Sequence, residues 1–87
     1  MGGQQVPPLK GLESAPEYFV EGIASIQFMG VNTRYVLYKT AIDGRGQPYR
    51  QVVFSAIAPT GALPTVLRQL VSFAIEHRLP VPFQDAT

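Results

Sequence analysis

Arg34-Tyr35-Val36-Leu37-Tyr38-Lys39-Thr40-Ala41-Ile42, then Asp43-Gly44-Arg45-Gly46-Gln47-Pro48, then Tyr49-Arg50-Gln51-Val52-Val53-Phe54-Ser55-Ala56-Ile57-Ala58 and Pro59: this central stretch decides the fold. Its outer blocks are dense in β-branched and aromatic residues, which fit a pleated, half-buried surface. The middle block gathers Asp, two Gly and a Pro, the residues that start turns and tolerate positive φ. Two such strands joined by one short loop read as an antiparallel hairpin. Pro59 ends the second strand, since proline has no N–H to give to a ladder.

On the N-terminal side, from 17 to 28, the even positions Tyr18, Val20, Gly22, Ala24, Ile26 and Phe28 are apolar or small, while Glu21, Ser25 and Gln27 fall among the odd ones. That alternation is strand periodicity. Gly30-Val31-Asn32-Thr33 supplies the turn back into the hairpin. On the C-terminal side, Leu63, Val66, Leu67, Leu70, Val71, Ala74 and Ile75 recur at spacings of three and four, the stripe of an amphipathic helix. Thr60 is the expected N-cap, and Pro64 is tolerated in the first turn. His77 and Arg78 suit the negative end of the helix, and Pro80 and Pro82 forbid continuation. The expected fold is therefore α+β, a three-stranded antiparallel meander followed by one C-terminal amphipathic helix (β-β-β-α). It occupies residues 17–79, between a flexible N-terminal tail, 1–16, and an extended C-terminal tail, 80–87.

If the first turn sets Phe28 opposite Arg34, then Ile26 faces Val36, Ala24 faces Tyr38 and Gly22 faces Thr40. Carried through the second loop, that register sets Tyr38 opposite Phe54 and Val36 opposite Ala56, an alternation of large and small residues suited to a core beneath the helix. The other face then carries Phe19, Ile23, Tyr35, Leu37, Val53 and Ile57, together with Lys39 and several polar residues. One helix covers one face of a sheet, and these apolar residues have no second layer. They are the candidate partner-binding residues, with Arg45 at the loop tip as a second candidate contact; the alternative is that the chain's own tails fold back and cover this face. The edges of the first and third strands offer another route, because each is free to pair with a second copy.

Composition sharpens this expectation. The chain has 87 residues, and only about sixty of them belong to the domain, which makes a marginal core for a monomer. There is no cysteine, so disulfides and thiolate metal sites are excluded and oligomerisation is the stabiliser that remains. Charged residues make up 15% of the chain, against about 25% in typical soluble domains. So uncharged a surface is usually covered. The net charge of +1, with the seven basic residues spread along the chain, argues against nucleic acid as the default partner. No apolar run approaches the ~18 residues of a membrane span, and Met1-Gly2-Gly3-Gln4-Gln5 has no secretory character. The expected compartment is the cytoplasm.

No chemistry-bearing constellation emerges. His77 is the single histidine, with no second imidazole or thiolate to complete a metal site. Ser14, Ser25, Ser55 and Ser72 have no neighbouring base and no strand-turn-helix elbow. The six acids are scattered over tails, strand, loop and helix end, with no evident pair for acid/base work. Asp43-Gly44-Arg45-Gly46 joins two strands and lacks the helix N-terminus and lysine of a phosphate loop. The expectation is a protein that is not an enzyme, with no cofactor and no catalytic or metal-ligating residue.

The segment from Gln51 through Ala58 and Pro59, followed by Leu63, Leu67 and Leu70, resembles small uncharacterised bacterial domains in which a strand runs through a proline into a terminal helix. The resemblance implies that strand-to-helix order and no activity.

Three functions from different classes are compatible with the residues. The first is a non-enzymatic interaction or assembly module, self-associating as a homo-oligomer, most simply a dimer, through a sheet face or an edge strand. The second is a small stoichiometric inhibitor, of the kind encoded by phages or mobile elements, that presents Arg45 to a larger protein. The third is a single-strand nucleic-acid binder using Arg34, Tyr35, Tyr38, Lys39, Tyr49 and Arg50, which requires those aromatics to share one face.

Overall fold

In the computed structural model, residues 6–81 are described. The chain passes through a single 3-10 turn at Leu12–Ser14, then β1 (Gly22–Phe28), β2 (Asn32–Ile42) and β3 (Pro48–Pro59), a second 3-10 turn at Thr60–Ala62, and the helix α1 (Leu63–Glu76). The strands form one antiparallel sheet in the order β1-β2-β3. The fold is thus α+β, a three-stranded meander followed by a C-terminal helix. Residues 1–5 of the expected N-terminal tail, and all but Pro80 and Val81 of the expected C-terminal one, lie outside the described residues. No helix among the described residues is long and apolar enough to cross a membrane.

The β2–β3 loop is built by Asp43. Its carboxylate accepts the backbone N–H groups of Arg45 at 2.8 Å and Gln47 at 2.9 Å, the side-chain mimicry of a turn that makes Asp favourable here. Gly46, at φ 78°, takes the left-handed conformation that a residue with a Cβ resists.

The first turn is tighter than expected. Met29 donates its N–H to the Asn32 carbonyl at 2.9 Å, Gly30 takes φ 90°, and Phe28 therefore pairs with Thr33 rather than Arg34. Ile26 pairs with Tyr35 instead of Val36, and Gly22 with Tyr38 instead of Thr40. In the second hairpin Leu37, not Tyr38, opposes Phe54, and Tyr35, not Val36, opposes Ala56. A one-residue slip exchanges the two faces of a strand. Two bulges complicate the exchange: Ala24 is skipped between Ile23 and Ser25 in β1, and Val53 between Phe54 and Val52 in β3. The bulge at Ala24 puts Ile23 and Ile26 on the same face, which strict alternation forbids.

Thr60 is not the cap of α1; that position is Ala62, with no side-chain hydrogen bond. Thr60 instead ties the end of β3 to the first turn. Its N–H donates to the Val31 carbonyl at 2.8 Å and its hydroxyl to the Gly30 carbonyl at 2.7 Å. The Thr33 hydroxyl lies 2.7 Å from the Thr60 hydroxyl oxygen; since the single Thr60 proton is committed to Gly30, Thr33 is the donor. Helix α1 ends as a Schellman motif, with Leu79 N–H donating to the Ala74 carbonyl at 2.7 Å and Arg78 N–H to Ile75 at 3.1 Å. Arg78 itself adopts φ 60°, the left-handed position usually given to glycine.

Among the described residues only Thr33 and Val81 are buried, each 5% exposed, and no large side chain is fully buried. The apolar side chains of sheet and helix stay largely exposed, among them Ile26, Phe28, Leu70 and Phe73.

Candidate functional site, an open apolar groove

Helix α1 leaves β3 through the Thr60 turn and runs beside the sheet without sealing it. Between them lies a groove of about 360 Å³. Its floor is Ile23 of β1, Tyr35 and Leu37 of β2 and Phe54, Ala56 and Ala58 of β3; its wall is Leu63, Val66, Leu67 and Leu70 of α1. The floor follows from the register, since directly opposed residues of antiparallel strands share a face. The wall follows from the three-and-four spacing of the helix stripe. Tyr18 leans on Phe54 with ring centroids 5.4 Å apart, an aromatic contact between the segment before β1 and this side of the sheet. Ile26 and Phe28 belong to the same face but lie outside the groove, 61% and 75% exposed.

The expected partner-binding set is regrouped by the register. Ile23, Tyr35 and Leu37 were expected on the face away from the helix; they are instead the floor beneath it. Lys39, opposite Gln51, continues that face past the end of the groove. Ile57, opposite Arg34, is on the other side of the sheet, Val53 is the extra residue of the bulge, and Phe19 precedes β1. Phe28, Ile26 and Ala58 were not in the set because they were expected in the core beneath the helix; they do lie on the helix side, and Ile26 and Phe28 are 61% and 75% exposed there. Leu63, Val66, Leu67 and Leu70 were read as a lid already seated, and their exposure is visible only in the packing.

The far face is polar with scattered apolar residues. Arg34 donates to the Gln27 side-chain oxygen at 3.0 Å. The Arg50 guanidinium lies 5.0 Å from the centre of the Tyr38 ring, a cation–π contact. That ring in turn lies over Gly22, where an added Cβ would meet Tyr38 Cε1 at 3.1 Å. Tyr38, expected in the core beneath the helix, is thus displayed on the opposite side. Of the nucleic-acid candidates, Arg34, Tyr38 and Arg50 share this face, while Tyr35, Lys39 and Tyr49 lie on the groove side. Arg45 stands exposed at the loop tip. His77 packs on Phe73 with ring centroids 4.3 Å apart, a contact within the last turn of α1.

Both outer strands keep a free edge. The edge of β2 beyond β1 is partly closed by Glu21, whose carboxylate accepts the Thr40 N–H and whose own N–H donates to the Tyr38 carbonyl at 2.8 Å. A carboxylate at an edge discourages strand addition there.

No protein-family model matches the chain, and no curated protein or solved structure matches it either. No residue role can therefore be transferred from a relative.

Proposed function

We propose that this chain is a non-enzymatic assembly module that self-associates, most simply as a homodimer, through the helix side of its sheet. The observation that carries the reading is the groove: ten apolar or aromatic residues of sheet and helix surround a space of about 360 Å³ that the described residues leave unfilled. A contiguous apolar patch of this kind marks an interaction site. Within this reading the role is non-catalytic and cytoplasmic, and the far face and Arg45 remain available to a third party.

Sedimentation and light scattering across a wide concentration range test the proposal. The expected result is a dimer whose helical ellipticity falls as it dissociates on dilution, because a 14-residue helix without tertiary support is marginal in water. A chain that stays monomeric and fully helical at millimolar concentration would overturn it. The single-strand nucleic-acid reading is weaker, because its aromatics are divided between two faces.

A further inference from the structure

We propose that the outer edge of β3 is a strand-addition site whose occupant is the β3 edge of a second copy, paired antiparallel about Ala56 so that two three-stranded sheets become one of six strands. The contact is made by main chain and is separate from the groove-side association proposed above.

The hydrogen-bond alternation of the sheet fixes which groups are on offer. In an antiparallel ladder the N–H and C=O of one residue point to the same neighbour, and successive residues point to opposite neighbours. The carbonyls of Asn32 and Tyr38 and the N–H of Thr40 are taken up on the β1 side, by Met29 and Glu21. The even-numbered residues of β2 therefore turn their main chain toward β1, and the odd-numbered ones toward β3. Thr33, Tyr35 and Leu37 pair with Ala58, Ala56 and Phe54, whose main-chain groups are thereby committed to β2. Ser55 and Ile57, lying between them, point theirs outward, and no fourth strand lies there among the described residues. Both residues are exposed, Ile57 at 57%.

The sequence of this edge favours pairing. Residues 51–58 hold three β-branched residues and a phenylalanine, with no charge, proline or glycine, the signature of a segment that pairs with copies of itself. Natural sheets protect an idle edge with a lysine, a proline or a bulge. On β3 the bulge lies at Val53, and Pro59, opposite Asn32, sits at an outward position, where its missing N–H ends an outer ladder. Between these two stops, residues 54–58 form a regular edge with no such guard. The other side of the sheet differs: β1 runs regularly only over 25–28 after its own bulge, and the notch beside it is occupied by the Glu21 carboxylate.

The choice of a second copy follows from what this run meets in itself. A strand laid antiparallel on its copy is related to it by a two-fold, the commonest symmetry of a closed pair. With Ala56 on the axis, Ser55 exchanges main-chain bonds with Ile57 of the second copy, and Ile57 with its Ser55. Phe54 then stands opposite Ala58 of the second copy, large against small on the helix side. Val53 meets Pro59, so bulge and proline close the ladder together at each end. The nearest charge, Arg50, falls beyond the end of the second copy's β3, so no like charges are opposed.

The chain lacks cysteine, and Ala56 opposite itself is a non-hydrogen-bonded pair with Cα atoms about 4.5 Å apart, within disulfide reach. Oxidised full-length Ala56→Cys chains are expected to form a disulfide dimer, and Ile26→Cys chains, on β1, are not. At concentrations where sedimentation reports association, amide hydrogen exchange is expected to slow at least ten-fold at Ser55 and Ile57 relative to dilute solution, while Phe54 and Ala56, bonded to β2, are slow in both. Ser55→Pro removes an outward N–H that β2 does not use. It is expected to abolish the slow exchange at Ile57 and, combined with Ala56→Cys, the disulfide, whereas Leu70→Glu in the groove wall leaves both in place. Should Ser55→Pro fail to fold, the exchange of the unaltered chain decides. An associated chain whose Ser55 and Ile57 amides exchange as fast as in dilute solution overturns the edge pairing and leaves the groove-side association standing. If those amides slow on concentration and Leu70→Glu changes neither association nor exchange, the edge pairing is upheld and the groove-side reading falls. A chain that is monomeric at every concentration overturns both.

Discussion

The β2–β3 hairpin and helix α1 are neighbours in sequence and are held in quite different ways. The hairpin is paired from Asn32–Pro59 at one end to Ile42–Pro48 at the other, interrupted by the bulge at Val53, with its loop fixed by two bonds to Asp43 and its open end clamped by Thr60. Main-chain pairing and local side-chain bonds account for its order. Helix α1 satisfies its own main chain and closes with a Schellman motif, yet none of its 14 residues is buried. Helical stability in proteins comes mostly from docking an apolar face, and here that face looks into an open groove. The contrast separates order that main-chain pairing and local bonds supply from order that an apolar helix face would have to supply by packing.

The largest effect is expected where the two regions share a surface. Leu37 lies at the centre of the sheet and on the floor of the groove, opposite Phe54 and Ile23. Leu37→Glu puts a carboxylate among apolar neighbours with no partner, which costs about 3 kcal/mol or more. Urea unfolding followed by sheet and helix signals should show both collapsing together. If the sheet weakens while the helix signal is untouched, the groove does not couple the two regions.

A middle-sized effect isolates the hairpin's clamp. Thr60→Val keeps the shape of the side chain but removes the hydroxyl that donates to Gly30 and accepts from Thr33. Thr33 is 5% exposed, so its own hydroxyl loses its partner away from water. A loss of about 1–2 kcal/mol follows, read as a lower urea midpoint with unchanged slope. Thr60→Ser, which keeps the hydroxyl, should recover most of it.

How far these features were legible in the sequence depends on what they require. The three strands, their order, the Asp43 loop and the helix stripe could all be read from periodicity and turn chemistry, because those signals are local. The register could not. Gly30-Val31-Asn32-Thr33 announces a turn without saying whether Thr33 belongs to the loop or the strand, and that one residue decides whether Tyr35 and Leu37 or Val36 and Tyr38 face the helix. The bulges at Ala24 and Val53 leave no mark on composition. That one helix would leave apolar sheet residues exposed was legible from their count. That the open side is the helix side was not, because a stripe of leucines states which face of a helix is apolar and not whether anything is near enough to cover it.

The smallest effect addresses the helix alone and is the sharpest probe of the contrast. Arg78 holds φ 60° at the residue after the helix cap, a conformation that costs an L-residue on the order of 1 kcal/mol and a glycine nearly nothing. Arg78→Gly should therefore stabilise the end of α1, with a gain of up to about 0.5 kcal/mol after allowing for the greater freedom of glycine in the unfolded chain. Where that gain is recorded depends on how the helix is held. If α1 folds as one unit with the sheet only in the associated state, the melting temperature rises by a few degrees at high protein concentration, and in dilute solution the sheet transition stays where it was while the helical ellipticity alone increases. If the helix were already docked on its own sheet, the same substitution would shift the sheet transition equally at every concentration, and the division between a self-sufficient hairpin and a helix in need of company would be lost.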